Sequence, residues 1–179
     1  MKAITRLLSC CSVALLVSSC ASNLAETTKP ASKPSSNERA VAERIFSMIN
    51  ADRAQSGMKP LRGNSGLNRL AQKQADFMSR GATNGQASTM GSNNRAQYAS
   101  LRLNIENVTE LANSTSSGNA ASAIVQSWKG SPEHNRTLRQ TWNTTGIGVS
   151  VGRDGKTYVT MLLGVSGTGV PRSVTPIGW

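Results

Sequence analysis

The sequence offers a single imidazole. His134 is the only histidine among 179 residues and falls in the run Trp128-Lys-Gly-Ser131-Pro132-Glu-His134. An imidazole titrates close to neutral pH and serves as acid, base, hydrogen-bond partner or metal ligand. The carboxylate best placed to join it is Glu106, in Ile105-Glu106-Asn107-Val108, where apolar neighbours in a strand-like run predict poor solvation. Out of water, a Glu106–His134 contact would be a charge-assisted hydrogen bond worth ~1.5–3 kcal/mol. That is enough to pin a strand to a helix, with Asn107 satisfying backbone groups of a neighbouring loop. On this reading Glu106→Gln lowers stability by about 1–2 kcal/mol. The same two groups can hold a ligand instead. With Ser88 or Ser131 as nucleophile they can also be drawn as a serine hydrolase acting on peptides or esters. No H-E-x-x-H run is present, and binding is the favoured role and hydrolysis the alternative.

The elements that must carry these groups follow from periodicity. Ile124, Val125 and Trp128 line one face of a helix that stops at Gly130, and Ser131-Pro132 reads as an N-cap with proline at the first helical position. His134 then sits in the first turn of a new short helix, and Trp128 belongs to the core. Residues 105–111 read as a strand and 112–119 as a polar loop. Residues 81–94 read as another polar loop, followed by a short helix over 95–101 with Tyr98 and Leu101 facing inward. The loops around Gly85 and Ser116 are candidate walls of a cleft.

Ahead of these, Ser35-x-x-Glu38 is a capping box opening a helix with Val41, Ile45, Met48 and Ile49 on one face, ended by Gly57. Pro60-Leu61 and Gly63-Asn64 read as a loop. A second helix, capped by Asn64 or Ser65, buries Leu67, Leu70, Ala71, Gln74, Ala75 and Met78 up to Gly81. Ile147, Val149 and Val151 alternate with small residues, Asp154-Gly155 supplies a tight turn, and 158–163 returns as the second arm of a hairpin. The order predicts an α+β domain with helices packed on a small antiparallel sheet. It contains neither a phosphate-binding glycine loop nor βαβ alternation.

The first 19 residues carry Lys2 and Arg6, then an apolar run too short to span a bilayer, then Val17-Ser18-Ser19-Cys20. This is the pattern of a secretory signal. The small residues before Cys20 resemble a bacterial lipobox, which implies acylation of Cys20, and Ser22 implies outer-membrane sorting with the domain facing the periplasm. Residues 20–36 are rich in Ser, Thr, Pro, Lys and Ala and read as a flexible tether. One domain spans 37–165, and 166–179 reads as an irregular tail. All three cysteines, Cys10, Cys11 and Cys20, lie within the first 20 residues, so the domain has no disulfide or thiolate chemistry. Loss of Lys2 and Arg6 from 20 basic residues leaves 18 against 9 acidic. This excess, scattered rather than in runs, suits an anionic envelope glycan or lipid rather than nucleic acid. A monomer is expected.

Taken together, these motifs resemble the CAP superfamily of cysteine-rich secretory proteins, antigen 5 and pathogenesis-related proteins, in its disulfide-free bacterial branch. The resemblance rests on Asn50-x-x-Arg53-x-x-x-Gly57-x-x-Pro60-Leu61, the Leu67/Ala71/Ala75 ladder, Glu106-Asn107, Trp128-x-x-Ser131-Pro132-x-His134, and Gly146-Ile147-Gly148-Val149. It implies an α-β-α sandwich with an open cleft, to which Glu106, Asn107, Ser131, His134 and Ser88 would contribute. Members with a complete cleft carry two histidines and two glutamates, some of them binding a divalent metal. Here Gln86, Ser88 or Thr89 stands where the first histidine belongs, and Ser131 where the second glutamate belongs. One histidine and one glutamate fall short of a zinc ligand set, so neither metal nor other cofactor is expected.

Overall fold

The computed structural model describes residues 31–81 and 91–167. Residues 1–30, which hold the expected signal, Cys20 and most of the expected tether, together with Gly85, Gln86, Ser88, Thr89 and the expected tail from 168, lie outside the described residues. Helix α1 (Ser36–Gln55) opens with the expected capping box: Ser35 Oγ accepts from the Glu38 N–H at 3.2 Å, and Glu38 Oε2 accepts from the Ser35 N–H at 2.7 Å. Ala42, Ile45, Ile49 and Arg53 are its buried residues. Helix α2 (Ser65–Ser79) is capped by Asn64, whose Oδ1 accepts from the Gly66 and Leu67 N–H groups. Helices α3 (Gly91–Leu103), α4 (Ala120–Gly130) and α5 (Pro132–Leu138) complete the α set among the described residues.

Strands β1 (Arg62–Gly63), β2 (Ile105–Thr115), β3 (Thr144–Val151) and β4 (Thr157–Ser166) form one sheet in the order β1-β3-β4-β2. The β2–β4 and β3–β4 pairs are antiparallel. The two-residue β1, expected as loop, pairs in parallel with β3 and makes the sheet mixed. One face packs against α1, α4 and α5 through Ile147, Val149, Val159, Met161 and Leu163. The other packs against α2 and α3 through Leu67, Leu70, Ala71, Ala99 and Leu162. The result is the expected α-β-α sandwich.

Helix α2 lies directly on β3. A Cβ on Gly146 would sit 2.2 Å from the Leu67 carbonyl carbon, and one on Gly148 2.2 Å from that of Ala71, so only glycine fits beneath the helix backbone. Because β1 stops at Gly63↔Thr145, the outer edge of β3 needs other partners. Helix side chains supply them. Asn68 Oδ1 accepts from the Ile147 N–H at 3.0 Å, Gln72 Oε1 from the Val149 N–H at 3.1 Å, and Gln72 Nε2 donates to the Val149 carbonyl at 2.8 Å. Glu38 Oε1 accepts from the Val151 N–H at 2.9 Å. An exposed strand edge, a template for aggregation, is thereby closed by carboxamides.

The Asn50–Leu61 motif is also structural. Asn50 makes two hydrogen bonds to the Leu61 backbone. Arg53, buried, donates to the carbonyls of Lys59, Leu138, Gln140 and Trp142, tying the end of α1 to the turn after α5. Gly57 takes φ +70°, where glycine is unstrained.

Two expectations fail. Strand β2 runs on to Thr115, through residues expected as loop. Helix α3 starts at Gly91 and is rotated from the expected phase: Tyr98 and Leu101 are exposed, at 43% and 74%, while Arg95 and Ala99 are buried. Arg95 sets the rotation. Its Nε and Nη2 bond the two carboxylate oxygens of Glu110 at 2.5 and 2.7 Å, and separating that buried pair would cost more than exposing two apolar side chains.

Gly148→Ala is expected to lower unfolding free energy by about 3 kcal/mol, because helix backbone cannot yield to the added methyl. Urea denaturation measures this; a loss below about 1 kcal/mol would show that the helix stands further from the sheet.

Candidate functional site

His134 is placed by two caps in succession. Helix α4 begins at Asn119, whose Oδ1 accepts from the Ser122 N–H, and buries Ile124, Val125 and Trp128, the last with no exposed surface. Lys129 pairs with Asp52 of α1. The chain then turns at Ser131, which caps α5 with Pro132 as its first residue. His134 lies in the first turn, half-buried, and its N–H donates to Ser131 Oγ at 3.4 Å. The serine hydroxyl is thus engaged by backbone.

Glu106 is placed by a bulge. The β2–β4 register passes from Glu106↔Val165 to Thr109↔Leu163, one extra residue on β2, and Asn107 takes φ +51°. Asparagine tolerates that left-handed conformation better than other side chains bearing a Cβ. The type at position 107 therefore answers a backbone demand, and none of the hydrogen bonds joins Asn107 to the neighbouring loop it was expected to satisfy. Residues paired across antiparallel strands share a face, and Val165 packs into the α1/α4/α5 core. Glu106 consequently lies on the sheet face that α5 also covers. It is exposed, contrary to the expectation of poor solvation, and no hydrogen bond or ion pair joins it to His134.

The desolvated carboxylate of this strand is Glu110, one helical layer away and paired with Arg95; both side chains are at most 3% exposed. Sequence reasoning chose the wrong glutamate because the bulge breaks the alternation on which a strand-face argument depends. The same layer holds Gln74 and Thr160, buried with the Gln74 amide and the Thr160 hydroxyl unpartnered.

A second feature was not legible beforehand. A hollow of about 540 Å³ opens at the β3–β4 turn, lined by Ser79, Arg80, Gly81, Val151, Arg153, Asp154 and Tyr158. Asp154 Oδ2 accepts from the Tyr158 hydroxyl at 2.8 Å and Oδ1 from the Lys156 N–H at 3.0 Å. The phenol bond, chiefly, holds the Asp154 carboxyl below its ordinary pKa and raises that of Tyr158. Along β4, Tyr158 and Val165 are seven residues apart, about 23 Å at ~3.3 Å per residue, so the hollow and Glu106 lie at opposite ends of the sheet.

Among the described residues no group of three or more His, Cys, Asp or Glu side chains could hold a metal ion. The Glu106 carboxylate is exposed and the His134 imidazole half-buried, and among the described residues neither side chain makes a hydrogen bond or ion pair.

A sequence profile of the CAP family, described as the cysteine-rich secretory protein family, matches residues 46–163. The chain belongs to this family. No curated protein sequence matches it significantly. Among solved structures, an outer surface protein from Borrelia burgdorferi is similar at TM-score 0.58 and 19% identity, covering 76% of this chain and 99% of that one. An extracellular protein containing an SCP domain from Bacillus anthracis is similar at TM-score 0.61 and 19% identity, covering 75% and 45%. A cysteine-rich secretory protein from Staphylococcus aureus gives TM-score 0.54 and 20% identity, covering 74% and 41%. The chain thus spans less than half the length of the last two. At these identities the likeness fixes the CAP fold, and within it the Glu-Asn and Ser-Pro-x-His motifs are the bulge and the capped turn described above.

The two glutamates of β2 should separate cleanly. Glu106→Gln is expected to change stability by less than about 0.5 kcal/mol, whereas Glu110→Leu, which strips the Arg95 charge of its carboxylate, should cost about 3–5 kcal/mol. Chemical denaturation of both variants checks this, and a large loss from Glu106→Gln would restore the buried-pair reading.

Proposed function

We propose that this CAP-domain protein is an exported, lipid-anchored component of the bacterial envelope, held by acylated Cys20 in the outer membrane and facing the periplasm. On this reading its domain binds an envelope ligand at the cleft around Glu106 and His134. One observation supports the preference for binding over catalysis: no hydrogen bond or ion pair joins the Glu106 carboxylate, the His134 imidazole and the Ser131 hydroxyl into an acid–base–nucleophile relay. A serine hydrolase needs a nucleophile within reach of its base and an acid orienting that base. A binding cleft needs only accessible donors and acceptors, and carboxylate with imidazole suits the hydroxyl and amide groups of an envelope glycan. Export agrees with the signal pattern and with similar folds found in extracellular and outer-surface proteins. No helix among the described residues is long and apolar enough to cross a membrane.

The test uses the purified mature protein, His134→Ala and Glu106→Gln. Peptide and ester hydrolysis is expected at the same background rate in all three, while retention on isolated peptidoglycan falls about tenfold in each variant, the loss of roughly one good charged hydrogen bond. A hydrolytic rate that disappears with His134→Ala would overturn the binding reading in favour of the enzyme.

A further inference from the structure

The hollow at the β3–β4 turn and the entry of the N-terminal segment lie at the same end of the molecule. The segment is fixed there by Ser32, whose N–H and hydroxyl bond the two carboxylate oxygens of Asp76 at 2.9 and 2.7 Å. Asp76 lies one helical turn before Ser79 and Arg80, which line the hollow. Pro34 is buried, and Glu38 of α1 bonds the Val151 N–H. The chain therefore comes into the domain beside the turn, as far from Glu106 as the sheet allows.

The surface at this end has a consistent character. Arg80 and Arg153 are exposed on the lining of the hollow, and Lys33 is exposed on the incoming segment. Lys156 Nζ stands 3.9 Å from Asp154. Asp154, the carboxylate among the described lining residues, is bonded by Tyr158 and the Lys156 backbone. Val151, 55% exposed, adds an apolar side chain at the rim. Guanidinium groups around a small hollow with an apolar edge match a phosphodiester at an acyl-chain boundary.

We propose that this end of the domain is its membrane-facing surface, with the hollow between Arg80 and Arg153 taking the phosphodiester headgroup of an anionic lipid. The proposal deepens the lipid-anchor reading, on which the part played by the tether rests. Twelve residues separate Cys20 from Ser32 and span at most roughly 40 Å, so an acylated Cys20 keeps this end near the bilayer. Each basic residue near an anionic surface strengthens attachment several-fold. The Glu106–His134 face would then point away from the membrane.

The decisive experiment uses the mature chain, residues 20–179, carrying Cys20→Ser so that no lipid is attached. It is co-sedimented with vesicles of phosphatidylcholine alone and of phosphatidylcholine with phosphatidylglycerol in equal parts. Binding is expected only to the anionic vesicles, and Arg153→Glu should weaken it roughly tenfold. Arg136→Glu, an equal charge change on the exposed surface of α5, should weaken it less than twofold. Equal losses from the two variants would mean diffuse attraction and overturn the proposal. So would no binding to either vesicle, or Arg153-dependent retention on peptidoglycan in place of vesicles. Inorganic phosphate that competes as well as the vesicles do would reassign the hollow to a free anion. Mass spectrometry of the native protein reports separately on Cys20: an unacylated cysteine removes the anchor without bearing on the vesicle result.

Discussion

The contact on which the fold depends is the one between α2 and β3. Gly146 and Gly148 bring the helix backbone down onto the strand, and Asn68 and Gln72 then complete the strand's outer edge by hydrogen bonding where β1 has ended. The two halves of the arrangement require each other. A larger side chain under the helix would lift the carboxamides out of reach of the Ile147 and Val149 N–H groups, and buried N–H groups without partners are costly. With β3 fixed, β4 pairs along its length, and β2 pairs with β4. The bulge that presents Glu106 is thus positioned, through two strand pairs, by a helix on the far side of the sheet.

Buried charge is used for structure. Arg53 reaches four main-chain carbonyls and no carboxylate. Burial pushes its pKa down from the ordinary value, and the carbonyl dipoles offset that desolvation. Arg95 and Glu110 neutralise each other between α3 and β2. Both arrangements lock connections that no disulfide supports, since all three cysteines lie within the first 20 residues. Among the described residues Glu106 and His134 make no such contact.

Much of this architecture was legible in the residues. The capping box at Ser35, the Asn64 cap, the Ser131-Pro132 turn and the Ile147/Val149 alternation are local signals, and each appears where its chemistry places it. What escaped was non-local. Arg95 buried its charge because a carboxylate fifteen residues on awaited it, and helical periodicity, which counts arginine as polar, rotated α3 the wrong way. The apolar flanks of Glu106 look like those of a buried strand only if the strand is regular, and Asn107 breaks it. The two-residue β1 is too short to leave a pattern, and the hollow between Arg80 and Arg153 joins a helix end to a hairpin turn about seventy residues later.

Glu106 and His134 do not bond each other, and stability rests on α2, Arg53 and the Arg95–Glu110 pair. A double-mutant cycle on unfolding free energy, combining Glu106→Gln and His134→Ala, tests this most directly. Additivity within about 0.5 kcal/mol is the predicted result. A coupling of about 1.5 kcal/mol or more would mean that the two side chains do bond, and that the cleft is a structural clasp or a catalytic dyad rather than an open binding surface.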